Sequence, residues 1–171
     1  MKKIIFGIAF IVLMVVSTFI YIENSKKSNS YSTPEEALKN YEHEYLDVLE
    51  NVDTKIYEEV AYVFYYSQFD APKDYLAAGI INKNKYGWRV DEVIGVGSVD
   101  KNNEGMASGM DEHIVGFARK EVANVKMGTH EAAMIEIENE YMNAFLFHGV
   151  DSELLGELEF EYFDKEGNEL P

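Results

Sequence analysis

The stretch KIYEEVAYVFYYS, residues 55–67, decides the fold. Tyr62, Val63, Phe64, Tyr65 and Tyr66 form an unbroken apolar run of β-favouring residues. A strand with one wet face would alternate polar and apolar positions, so a continuous run predicts a strand covered on both faces. Something must lie on each side of it, and the chain immediately upstream offers one cover.

Upstream, Thr33-Pro34-Glu35-Glu36 predicts a helix start: Thr33 as cap, Pro34 in the first turn, and Glu36 reaching back to complete a capping box. Leu38, Tyr41, Tyr45, Val48, Leu49 and Val52 recur at three- and four-residue steps, which predicts an amphipathic helix ending near Glu50. Downstream, Ala71-Pro72-Lys73-Asp74 breaks the pattern, and 75–81 reads as a second strand or a short mixed element. Residues 82–85 form a turn, 86–90 return from it, and 93–99 extend that strand, with Gly95 and Gly97 marking a bulge or a close approach.

Residues 100–111 are polar and glycine-rich, and they divide the chain into two halves. The second half reads as successive strands at 114–118, 122–127, 132–137, 141–147 and 157–163. In the last of these Leu158, Phe160 and Tyr162 alternate with glutamates, as expected of a strand with one solvated face. Residues 164–167 make a closing turn.

Residues 4–22, IIFGIAFIVLMVVSTFIYI, carry no charge and follow Lys2 and Lys3. Nineteen residues of helix span roughly 28 Å, close to the ~30 Å apolar core of a bilayer. The expectation is an uncleaved signal-anchor; a signal peptide cut after Ser17 fits less well, because Phe19, Ile20, Tyr21 and Ile22 prolong the apolar run. Residues 23–32, ENSKKSNSYS, read as a flexible tether. The expected organisation is an anchor at 1–22, a tether at 23–32, an α+β subdomain at 33–99, a connecting loop at 100–111 and a β-rich subdomain at 112–171. The expected fold class is α+β: an N-terminal transmembrane helix, then one helix packed on an antiparallel sheet, and a β-rich, sandwich-like C-terminal half. The expected location is the cell membrane, single-pass, with the C-terminal domain outside the cytoplasm.

The chain holds 15 basic and 31 acidic residues. Only Lys2 and Lys3 are charged before Glu23, which leaves 13 basic against 31 acidic residues beyond them, a net of −18. Such a surface repels phosphate backbones, so nucleic acid is excluded as a partner and cationic partners are favoured. The absence of cysteine removes disulfides, thiolate metal sites, cysteine nucleophiles and a lipoprotein anchor. The core must therefore rest on apolar packing, with aromatic residues at 13% of the chain.

The strings TPEEALKNY (33–41), AYVFYYS (61–67), AGIINKNKYGW (78–88) and EYFDKEGNEL (161–170) together resemble small anchored or secreted proteins of spore-forming Gram-positive bacteria. The likeness implies an envelope location and carries no activity or functional residue. The terminal FDKEGNEL also resembles the last hairpin of exported β-sandwich modules.

The sharpest motif is DKNNEGMASGMD, residues 100–111. Set against a calcium-binding EF-hand loop, Asp100, Asn102 and Gly105 fall at positions one, three and six, with Glu104, Ser108 and Asp111 as further oxygen donors. Asp111 replaces the usual bidentate glutamate and no helix precedes the loop, so an ordinary solvated loop competes with a calcium site. His43-Glu44-Tyr45-Leu46-Asp47 and His130-Glu131-Ala132-Ala133-Met134 approach the zincin pattern but lack its second histidine. Gly95-Val96-Gly97 lacks the third glycine of a dinucleotide loop, and no serine sits in a nucleophile elbow. Trp88 and Arg89 form a candidate recognition pair. The leading expectation is a non-enzymatic acidic module binding or modulating an envelope partner, held to the membrane through residues 4–22. The alternatives are an envelope hydrolase using a carboxylate pair and a calcium-stabilised structural domain.

Overall fold

The computed structural model describes residues 2–41 and 47–171, with side chains from residue 13 onward. Helix α1 spans Lys2–Ser28 and helix α2 spans Pro34–Lys39. The strands are β1 (Glu50–Tyr57), β2 (Val60–Gln68), β3 (Pro72–Asn84), β4 (Gly87–Ser98), β5 (Ala107–Met110), β6 (His113–Arg119), β7 (Asn124–Met127), β8 (His130–Glu131), β9 (Ala133–Ile135), β10 (Met142–His148), β11 (Phe160–Phe163) and β12 (Glu169–Leu170). They pair antiparallel into three four-stranded sheets, ordered β1-β2-β3-β4, β5-β6-β10-β9 and β12-β11-β7-β8.

Side-chain alternation stacks these sheets. On β2, Tyr62, Phe64 and Tyr66 point into a core shared with Val115 and Phe117 of β6 and Met142, Ala144 and Leu146 of β10. Their neighbours Ala61, Val63 and Tyr65 point the other way, into a core closed by Ala37 and Leu38 of α2. Both faces of β2 are therefore covered. The same holds one layer on. The other face of the second sheet, with Ile114 and Ala118 of β6 and Phe145 and Phe147 of β10, packs on Val125, Met127 and Phe160 of the third sheet. The order of layers is α2, first sheet, second sheet, third sheet, and the two inner sheets carry the longest apolar runs because neither has a wet face.

Two expectations about fold class are corrected. The α+β reading gives way to a mostly-β structure, since the helix on the first sheet is only six residues long. Its end has a local cause: the Asn40 side chain turns back to donate to the Glu36 carbonyl at 2.8 Å and satisfies the last turn. Leu49 and Glu50, assigned to the helix end from the sequence, instead enter the first sheet, with the Leu49 N–H donating to the Tyr66 carbonyl. Thr33 does cap α2, accepting from the Glu36 N–H at 3.2 Å, but the Glu36 carboxylate bonds Ser32 in place of the cap's own N–H.

The second correction concerns the expected N-terminal transmembrane helix. Among the described residues, no helix is long and apolar enough to cross a membrane. The described side chains of α1 run from Leu13 to Ser28, and Glu23, Lys26 and Lys27 fall within them.

Where a tether is expected, residues 23–28 continue α1 and dock on the β3–β4 hairpin. Glu23 accepts from the Tyr86 hydroxyl at 2.9 Å and pairs with Lys85 at 2.6 Å. Tyr31 then exchanges both backbone hydrogen bonds with Trp88, each 2.8 Å. A side chain at Gly87 would run into the Tyr31 carbonyl, and Gly87 holds a φ of +132° there.

The stretch 55–67 is not one strand. Glu58 and Glu59 reverse it into the β1–β2 hairpin, with Glu58 at a φ of +51° and Tyr57 facing Val60. Two adjacent carboxylates cannot both be buried inside a doubly covered strand, so the chain turns where they occur. Farther on, the β3–β4 register skips Val96 between Gly95 and Gly97, a bulge at the expected place.

Candidate functional site

Three side chains meet where the first two sheets face each other. Tyr62 lies on the inward face of β2 and is fully buried. His113 is the first residue of β6 and His148 the last of β10, and the antiparallel register sets them opposite one another. The Tyr62 hydroxyl lies 2.6 Å from His113 Nδ1 and 2.7 Å from His148 Nδ1. The two imidazoles stand nearly parallel, planes 10° apart and centroids 6.4 Å apart. Tyr57 of β1 stacks on the outer side of His148 at 4.3 Å and meets Tyr62 edge-on at 5.9 Å.

The hydrogen count of this group is fixed. A neutral phenol has one proton to donate and oxygen lone pairs to accept with. Bonded to two ring nitrogens, Tyr62 donates to one Nδ1 and accepts from the other, so the histidines hold opposite tautomers. Burial, then the neighbouring Tyr57 and Glu112, push the phenol's pKa well above its ordinary value and keep it neutral. His113 is lowered by burial and by His148, with Asp111, Glu112 and Asp91 opposing. His148 is lowered by burial, against Glu112 and Glu58. The spacing is that of protons and not of a metal: zinc ligands at about 2.0–2.1 Å in a tetrahedron stand roughly 3.3 Å from each other. Among the described residues, no group of three or more His, Asp or Glu side chains is placed to hold a metal ion.

His113 also lines an open cleft of about 490 Å³ beside the β5–β6 turn, together with Asp111, Glu112, Asp151, Ser152 and Glu153. Backbone bonds tie the segment after β10 to that turn: the Val150 N–H donates to the Glu112 carbonyl, and the Ser152 N–H to that of Asp111 at 2.7 Å. The Asp151 carboxylate caps the short 3-10 turn Ser152–Gly156 by accepting from the Glu153 N–H at 2.9 Å. The cleft is thus lined by four carboxylates and no lysine or arginine.

The residues singled out from the sequence are dispersed. Asp100 caps a 3-10 turn at Lys101–Asn103, and its Oδ1 accepts from the backbone and the side chain of Asn102. Glu104 lines a different cleft, with Gly105, Ala118, Arg119, Tyr162 and Pro171. Ser108 lies in β5, and Asp111 follows that strand in a left-handed turn at φ +48°. The four residues of β5, about 13 Å of chain, separate Asp100, Asn102 and Glu104 on one side from Asp111 on the other, with Ser108 within the strand. Trp88 is 8% exposed in the core under α2, and Lys83, not Arg89, sits over its ring at 5.4 Å. Arg89 is exposed on β4. His43 lies outside the described residues, and His130 sits in the short edge strand β8.

Neither His113 nor His148 carries a motif. The available signal was positional: each ends a long apolar strand, one after Asp111-Glu112 and the other before Gly149. No family model, curated protein or solved structure matches the chain.

Proposed function

We propose that the protein is a non-enzymatic acidic binding module whose partner presents a basic surface at the cell envelope. The observation that carries this is the cleft beside the β5–β6 turn, where Asp111, Glu112, Asp151 and Glu153 converge with no lysine or arginine in the lining. A net charge of −16 on the whole chain adds a long-range field of the same sign, which steers cationic partners toward it. The exposed apolar side chains Leu13, Phe19, Ile20 and Tyr21 on α1 support contact between the N-terminal segment and lipid, with the β-sheet body in water at the outer face.

The test places a photo-crosslinking residue at Ser152, in the middle of the cleft, and activates it in intact cells. A single basic envelope protein should be captured, and its yield should collapse when the four carboxylates are replaced by their amides. Recovery of abundant bystanders alone, unchanged by those replacements, would refute the proposal. A reporter fused at Pro171 tests the compartment and should read as extracytoplasmic.

A further inference from the structure

We infer that Tyr62, His113 and His148 form a proton-counting clasp between the first two sheets, which holds with no proton or one proton added to the imidazole pair and lets go when the second arrives. It stands on the geometry between the sheets and not on the ligand of the acidic cleft.

Among the described residues, Tyr62 is the one residue of the first sheet bonded to these two histidines, and both bonds run to the second sheet. In the neutral pair one imidazole donates from Nδ1 to the phenol oxygen, and the phenol donates to the bare Nδ1 of the other. The first added proton goes to the Nε2 of the imidazole that already donates. Neither bond to Tyr62 changes, and the donor becomes a cation, which strengthens its bond. The second proton has only the accepting Nδ1 to occupy. Two N–H groups then point at one phenol, whose own proton loses its acceptor inside a buried site, and two cations stand on stacked rings 6.4 Å apart.

The groups facing the cluster are Tyr57 of β1, Glu58 of the β1–β2 turn, Asp91 of β4, and Asp111 and Glu112 of the β5–β6 turn; Lys55 acts on it only through Tyr57. The four carboxylates favour the first proton. None of them offers the phenol a new acceptor among its hydrogen bonds. The clasp therefore separates two protonation steps that independent histidines would take together near pH 6.5. His148 is exposed, so protons reach the pair from solvent.

The experiment follows the imidazole carbon-bound protons of His113 and His148 by NMR in the full-length protein between pH 7.5 and 5, with amide exchange recorded on β2, β6 and β10. Two steps should appear, separated by at least one pH unit, a ten-fold difference in proton affinity. Amide protection at the His113–His148 end should survive the first and fall at least ten-fold with the second. His148→Gln supplies a neutral partner that accepts from Tyr62, so this variant should take its single proton on His113 without losing protection. Tyr62→Phe should bring any remaining steps closer together. Coincident titration of both histidines in the unaltered protein, or protection equally acid-sensitive in His148→Gln, would overturn the clasp, and the His148 variant decides the matter even if Tyr62→Phe does not fold.

Discussion

The Tyr57 ring lies stacked on the His148 imidazole, centroids 4.3 Å apart and planes 21° from parallel. The Tyr57 ring covers one face of an imidazole that is otherwise open to solvent, and burial lowers the His148 pKa. Replacing Tyr57 by Leu removes an aromatic pair worth about 0.5–1.5 kcal/mol. Chemical denaturation should show that loss, and the His148 titration should move up toward the ordinary histidine value. An unchanged titration would mean that Tyr57 does not shield the ring.

Acid should destabilise the protein in two separate windows. His113 and His148 have folded pKa values below the ordinary 6.5. Adding protons to the pair is therefore disfavoured in the folded state, so stability is full above about pH 6.5 and is lost as the pH falls toward the lowered folded values, most of it with the second proton. A thermal melt series should show this first decline, and His113→Gln with His148→Gln together should flatten it.

The second window belongs to carboxylates. Asp74 accepts backbone N–H groups from Phe69, Asp70 and Ala71 at 2.7–2.8 Å, and those bonds, Phe69 first, hold its pKa below 3.8. Its contribution is present above that ordinary value and disappears as the pH falls through the lower folded one. Asp74→Ala should leave the histidine window intact and loosen the β2–β3 connection, read as faster amide exchange at 69–71.

Leu38 of α2 sits over Gly79 of β3, so close that a Cβ there would stand 2.8 Å from Leu38 Cδ1. Gly79→Val should cost about 1–3 kcal/mol by overpacking. Leu38→Ala should cost about 2–5 kcal/mol by emptying the same place. Denaturant midpoints measure both, and a neutral Gly79→Val would show that α2 does not rest on the first sheet.

Much of the sheet content was legible because it depended on short-range pattern. The unbroken run of β2 announced a strand with two covered faces, the apolar runs at 114–118 and 141–147 announced β6 and β10 as strands, and Gly95 and Gly97 marked a bulge or close approach where β4 has its bulge. The helical stripe after Thr33 misled because Leu49 and Val52 fit a helical step as well as a strand, while the stop at Asn40 comes from one side-chain bond. The glutamate pair that turns β1 into β2 was readable in principle, since burying both carboxylates would have been costly. Pairing of distant strands was not readable. His113 and His148 are 35 residues apart and meet only through the β6–β10 register, and both meet Tyr62 only because two sheets stack. Trp88 reads as available for recognition in the sequence, but the backbone of Tyr31, from within the expected tether, pairs with it.

The central claim is that the cleft lined by Asp111, Glu112, Asp151 and Glu153 takes up basic partners. Fluorescence anisotropy of a labelled decalysine peptide against the full-length protein tests it most directly. The account predicts binding that weakens steadily with added salt and falls about ten-fold or more when all four residues become amides, since four exposed ion pairs at 0.2–1 kcal/mol each sum to roughly that. Equal binding by the four-fold variant, or binding indifferent to salt, would contradict it.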